Sequence, residues 1–303
     1  MTGRESPAAA VARLAAAGQR IETPCGKGAM VWRSWGEGEP LLLFHGGFGS
    51  WTHWLRNIPA LSRHYRVIVA NLPGLGESDE APRPHTPAGL SAIVVEGIDR
   101  ILVPGERFHL AGFSFGGLIG GHVAAALGER CRSFTLVGAG GLGLRRGTME
   151  PLKSWRHIPD DAGRLAAHLE NLAILMLADR SAIDDLAVHL QAENAARGRV
   201  NSPPIAATDT LTRVLPQVRG RIAGIWGERD ATAMHDLPAR ARLLRSIQPN
   251  APFLVIAGAG HWVQYEAAEG FDEALLEVLA GAAAPDPAAG EALLTVRPDS
   301  TTR

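Results

Sequence analysis

Short apolar runs alternate with stretches of helical spacing along most of this chain. The runs at 29–35, 40–44, 65–70, 108–113, 133–137, 222–226 and 253–256 are rich in β-branched, aromatic or leucine residues and are bounded by turn formers, which predicts strands. Between them, residues 86–103 place Leu90, Ile93, Val94, Ile98 and Ile101 on one side of a helix. Residues 118–127 are rich in small side chains and suit a helix packed closely on a sheet. Strands that alternate with helices need crossover connections. The predicted fold class is therefore α/β, with a mainly parallel central sheet flanked by helices and ligands at the carboxyl edge of the strands.

One segment breaks the alternation. Residues 142–216 contain no good strand, while 164–177 and 181–196 are amphipathic at helical spacing, with a break at 179–181. This predicts a helical cap (142–216) inserted into a core made of 20–141 and 217–282. Residues 283–303 are rich in Ala, Pro, Asp and Thr and are expected to form a flexible C-terminal tail. A chain of 303 residues is long enough for one large core with such an insertion.

Composition narrows the function. The net charge is −1 and no block of lysine or arginine occurs, which argues against nucleic acid or an anionic membrane surface as partner. No apolar run reaches the length of a membrane span, and Arg13 interrupts the alanine-rich N-terminal stretch, so neither a span nor a signal peptide is expected. Cys25 and Cys131 lie far apart without a CxxC pair. They read as reduced thiols of a cytoplasmic protein rather than a disulfide or metal site. The 11 histidines show no metal-ligand spacing, and no cofactor is implied. The expected partner is a small molecule, and a homo-oligomer is left open.

The chemistry starts at Gly112-Phe113-Ser114-Phe115-Gly116, which follows a predicted strand and opens a helix. A serine between two glycines on a tight strand-to-helix turn holds its hydroxyl out at the top of a sheet. A serine hydroxyl is a poor nucleophile and needs a base, and the base needs an orienting anion. His261 stands on a small-residue loop after the last predicted strand, and Asp230 on the loop after the strand before it. Glu228 and the more distant Asp236 are the rival acids; the longer reach of the loop favours Asp230. Two N–H groups should receive an oxyanion. Phe115 offers one at the helix N-terminus, and Gly47 in the His45-Gly46-Gly47-Phe48 turn offers the other, with Gly46 as its alternative. His45 reads as a structural brace for that turn.

Together His45-Gly46-Gly47, Leu72-Pro73-Gly74-Leu75-Gly76-Glu77-Ser78, the 112–117 motif, Trp226-Gly227-Glu228-Arg229-Asp230 and Gly260-His261-Trp262 resemble the α/β-hydrolase superfamily over residues 20–282. The resemblance implies that fold, with an inserted helical cap, and a serine hydrolase acting on a small, mostly apolar ester through an acyl-enzyme. Phe48, Phe113, Trp262, Leu172, Leu175 and Met176 are then the expected pocket wall, together with Phe115. Gly140-Gly141-Leu142-Gly143 and His261-Trp262 further resemble the meta-cleavage-product hydrolases, which split carbon–carbon bonds in vinylogous diketones. The chain departs from those enzymes at Phe113, where they usually carry a polar residue. It departs again near Gln191, where they place an arginine for a substrate carboxylate; Arg197 and Arg199 come later. Asn71 stands where the superfamily usually has aspartate. Ser114 argues against epoxide hydrolases and haloalkane dehalogenases, which need an aspartate at the nucleophile position. Carbon–carbon hydrolysis and acyl transfer or perhydrolysis are the alternative activities, and a non-catalytic ligand-binding protein is the alternative of another class.

Overall fold

Each predicted apolar run becomes a strand of one nine-stranded sheet in the computed structural model, which describes residues 5–145, 147–233, 236–281 and 294–296. The strands are β1 (Gln19–Cys25), β2 (Gly28–Trp35), β3 (Pro40–Phe44), β4 (Arg66–Ala70), β5 (Phe108–Phe113), β6 (Cys131–Val137), β7 (Arg221–Gly227), β8 (Phe253–Ile256) and β9 (Leu294–Val296). Their order across the sheet is β1-β2-β4-β3-β5-β6-β7-β8-β9. The β1–β2 and β2–β4 pairs are antiparallel, and every later pair is parallel. Most of the expected tail lies outside the described residues, but Leu294–Val296 within it pairs with β8.

Side-chain alternation splits the core into two layers. Leu42 and Phe44 of β3 enter the cluster built around Trp32, Phe108 and Phe134, whereas Leu41 and Leu43 enter the cluster of Trp54, Trp262 and Phe271 on the other face. Because both faces are covered, β3 is apolar throughout, and β5 is buried at every position with one polar residue, His109, which bonds Ser133 Oγ.

Strand register positions the site. Phe44 pairs with Gly112, so the turn after β3 emerges beside Ser114. Gly227 pairs with Ile256, so the loops carrying Asp230 and His261 leave the sheet side by side. Among the described residues the 142–216 segment holds helices and no strand. Its first long helix, Asp161–Asn171, is capped by Asp160 and gives way to a π-helical turn over Leu172–Met176, where the sequence pattern predicted a continuous helix to 177. The second, Asp185–Arg197, is capped by Asp184. Asp184 also anchors the segment to the core: it accepts from Arg56 Nη2 at 2.6 Å and from the Tyr265 hydroxyl at 2.6 Å. No helix among the described residues is long and apolar enough to cross a membrane. Cys25 and Cys131 are both buried free thiols, and burial pushes Cys131 up to about 12.

One buried acid makes stability depend on pH. Asp272 is 7% exposed and accepts from Asn57 Nδ2 at 2.8 Å. Burial lifts its carboxyl to about 7; the Asn57 donor and Arg63 oppose the rise, and Glu269 and Glu273 add to it. The folded state therefore binds this proton more tightly than the unfolded chain does. Asp272 lowers stability progressively as pH climbs from 3.8 towards 7, and the loss is complete above that. Asp272→Asn should become more stable than the wild type as pH rises through this window, with little difference below it. Urea midpoints at acid and alkaline pH check this; a gap that is constant with pH contradicts it.

Candidate active site

Ser114 closes β5 and opens the Phe115–Leu127 helix, with φ 51° and ψ −113°. A non-glycine residue in this region is strained, and such strain persists only where the surroundings enforce it. Here they do. A Cβ on Gly112 would lie 2.5 Å from the Gly116 carbonyl oxygen, and one on Gly116 would lie 2.5 Å from those of both Phe44 and His45. The flanking glycines are required by close approach of backbone to backbone, and the turn presses Ser114 outward.

The three polar residues read from sequence meet. Ser114 Oγ lies 3.0 Å from His261 Nε2, and His261 Nδ1 lies 2.9 Å from Asp230 Oδ2. Asp230 is fully buried, and its other oxygen accepts from the Thr232 N–H and hydroxyl, each at 2.8 Å. Burial alone would raise this carboxyl, but the His261 imidazole and the two Thr232 donors outweigh it and hold it below the usual carboxylate range. A charged Asp230 fixes the His261 proton on Nδ1 and leaves Nε2 free to accept from Ser114. Glu228, the rival acid, is exposed and accepts from the Gly258 N–H instead. The His261 loop is clamped from the far side: Glu266 accepts N–H bonds from Gly260, Ala178 and Asp179, and the Trp262 N–H donates to Met176 O.

The turn after β3 is held by two buried histidines. Burial pushes His45 down to about 4, against the pull of the Gly46 carbonyl, so it is neutral near pH 7. Its Nε2 accepts from the Leu72 N–H at 2.9 Å, which places the proton on Nδ1, 2.7 Å from the Gly46 oxygen. His53, which the sequence pattern did not single out, is also driven well below its ordinary value by burial. Its Nδ1 accepts from the Gly46 N–H at 3.2 Å. Gly46 is thus engaged through both N–H and C=O, and both it and Gly47 line the cavity above Ser114. Phe48 follows with φ 50°, a second strained non-glycine residue at this rim. Asn71 uses its neutral amide as scaffold, accepting from the Trp51 N–H and donating to Val31 O.

A cavity of about 190 Å³ opens at Ser114, walled by Phe48, Phe113, Phe115, Leu175 and Met176. Met149, Leu152, Ser202, Pro203 and Ala206 complete it from the inserted segment; none was evident in the sequence, because they lie outside its periodic stretches. Two expected wall residues are elsewhere. Trp262 is fully buried, stacks on Tyr265 at 4.2 Å and donates its indole N–H to His53 O. Leu172 is likewise fully buried in the core under the π-helical turn. A second cavity of about 350 Å³ shares His261, Leu175 and Met149 with the first and carries Glu150, Glu170, Arg180 and Arg229. Among the described residues no cluster of acidic, histidine or cysteine side chains could hold a metal ion.

Residues 39–172 match the family model described as the alpha/beta hydrolase fold. The 2-hydroxy-6-oxononadienedioate/2-hydroxy-6-oxononatrienedioate hydrolase of Paraburkholderia phymatum is 30% identical over 266 residues, covering 80% of this chain and 87% of the relative. The chain belongs to the α/β-hydrolase family. It is an enzyme of that family: several relatives are named as hydrolases of 2-hydroxy-6-oxo dienoates, and its structural neighbours include a meta-cleavage product hydrolase and a carboxylesterase. A different relative is the dihydrolipoyllysine-residue acetyltransferase component of the acetoin cleaving system of Pseudomonas putida. It is 32% identical over 80% of this chain, but the chain spans only 64% of its length. Among solved structures, a meta-cleavage product hydrolase from Pseudomonas fluorescens superposes with a TM-score of 0.70 at 23% identity, covering 86% of this chain and 98% of that one. The naproxen esterase of Bacillus subtilis gives 0.68 at 20% identity, covering 86% and 91%.

Proposed function

We propose that this α/β-hydrolase is a serine hydrolase of small, mostly apolar esters. The observation that carries the reading is the continuous chain from Ser114 Oγ through His261 to the buried Asp230, with contacts of 3.0 and 2.9 Å. Ser114 attacks the carbonyl carbon while His261 Nε2 takes its proton. The N–H groups of Gly47 and Phe115 receive the oxyanion; Gly46 is a poorer candidate because its N–H is already given to His53. Collapse of the intermediate expels the alcohol, which takes the proton from His261. Water, activated by the same imidazole, then releases the acid and restores Ser114. Asp230 stabilises the imidazolium throughout.

The two cavities suggest how substrate lies. The acyl group occupies the apolar 190 Å³ cavity, and the leaving alcohol points across His261 into the larger polar one, within reach of the proton it needs. Carbon–carbon hydrolysis is the second reading, favoured by the names of several relatives. Against it, no arginine or lysine occurs among the described residues lining the Ser114 cavity; of the two arginines in the second cavity, Arg180 pairs with Glu170, and Arg229 is the cation a dienoate carboxylate would have to reach. Arg197 pairs with Glu193, and Arg199 donates to Ser78 O, so neither is free for a dienoate carboxylate there. Nitrophenyl acetate, butyrate and decanoate, assayed beside a coloured dienoate, separate the readings. The expected order of kcat/KM is short esters above decanoate by at least about tenfold, with the dienoate slowest, because a pocket of this volume holds few methylenes. Faster turnover of the dienoate would transfer the reading to carbon–carbon cleavage.

A further inference from the structure

We infer that Ser202, on the inserted segment, is a third hydrogen-bond donor to the oxyanion, so that the site is complete only when this segment is seated. The inference rests on the serine-hydrolase reading above and deepens it. Ser202 opens the short Ser202–Ala206 helix and is followed by Pro203 and Pro204, whose fixed φ angles stiffen the turn that presents it. The residue is 3% exposed, yet its hydroxyl has no hydrogen-bond partner among the described residues, and it lines the cavity above Ser114. A hydroxyl that faces the cavity with no such partner is available to a substrate oxygen placed there.

The contact with Gly47 fixes where that oxygen sits. A Cβ on Gly47 would lie 2.1 Å from Ser202 Oγ and 3.8 Å from the Phe115 Cβ. The absence of a side chain at 47 is what lets the hydroxyl reach the turn. Gly47, Phe115 and Ser202 all border the one cavity at Ser114. As the carbonyl oxygen becomes an oxyanion, the Ser202 O–H donates to it; no bond to Ser202 forms or breaks. A donor aimed at developing charge acts mainly on kcat, whereas a hydroxyl that only binds substrate acts on KM.

Ser202→Ala and the near-isosteric Ser202→Cys, a weak donor, are compared with wild type on nitrophenyl butyrate. The expected result is a kcat lower by about 10- to 100-fold in both, with KM within about threefold. The melting temperature should be retained, and fluorophosphonate should still label Ser114 to completion. An unchanged kcat, or a change confined to KM, in the variant that keeps its melting temperature overturns the assignment while leaving the hydrolase reading intact. A wild-type protein that fluorophosphonate does not label removes the hydrolase reading itself.

Discussion

Ser114→Ala is expected to lower kcat/KM on short esters by about 10⁴- to 10⁶-fold, the range found when the serine of a Ser-His-Asp set is removed. The variant keeps the Cβ, so the strained turn and the glycine contacts around it are unchanged. Among the described residues the hydroxyl has one hydrogen-bond partner, His261, which is itself held by Asp230. Stability should therefore shift by less than about 1 kcal/mol. Steady-state kinetics beside a thermal melt check both halves. Activity within tenfold of wild type, in a protein that melts normally, is incompatible with a covalent role for this serine.

The second large effect is expected at Asp230. The Asp230→Asn amide has one acceptor and one donor end, and the Thr232 N–H and hydroxyl both donate to the Oδ1 position. They select the amide oxygen there, which turns the NH₂ towards His261 Nδ1. Nδ1 must then accept, the imidazole proton moves to Nε2, and Nε2 can no longer take the serine proton. The loss should be about 10⁴-fold in kcat, caused by the wrong tautomer with the geometry preserved. Glu228→Gln is the matched control, since its side chain is exposed and bonded to Gly258; it should change kcat by less than about threefold. Equal losses in the two variants would contradict the assignment of the acid.

Much of this architecture was legible in the chain because fully buried parallel strands leave continuous apolar runs. β3 and β8 are examples, β5 is broken at His109 alone, and each ends in a loop with a distinctive residue set. β1 was not legible: Gln19–Cys25 lies at the sheet edge and buries few of its residues, so it carries little apolar signal. β9 escaped for the related reason that three residues in a tail rich in Ala and Pro make no pattern. At the site, Ser114, Asp230 and His261 could be read because each follows a strand, and strand register brings loop starts together. The pocket wall could not. Adjacency to His261 suggested Trp262, but that side chain turns into the core, and Leu172 does the same where the helix widens into a π-helical turn. His53 and Ser202 carry no periodic or motif signal; their roles depend on contacts with Gly46 and Gly47 made only in the folded chain.

The most direct test is to treat the protein with a fluorophosphonate and locate the adduct by peptide mass spectrometry. The account predicts one phosphonyl group per chain, on Ser114, with none on the Ser114→Ala protein. No adduct, or an adduct at another residue that persists when Ser114 is replaced, would contradict it.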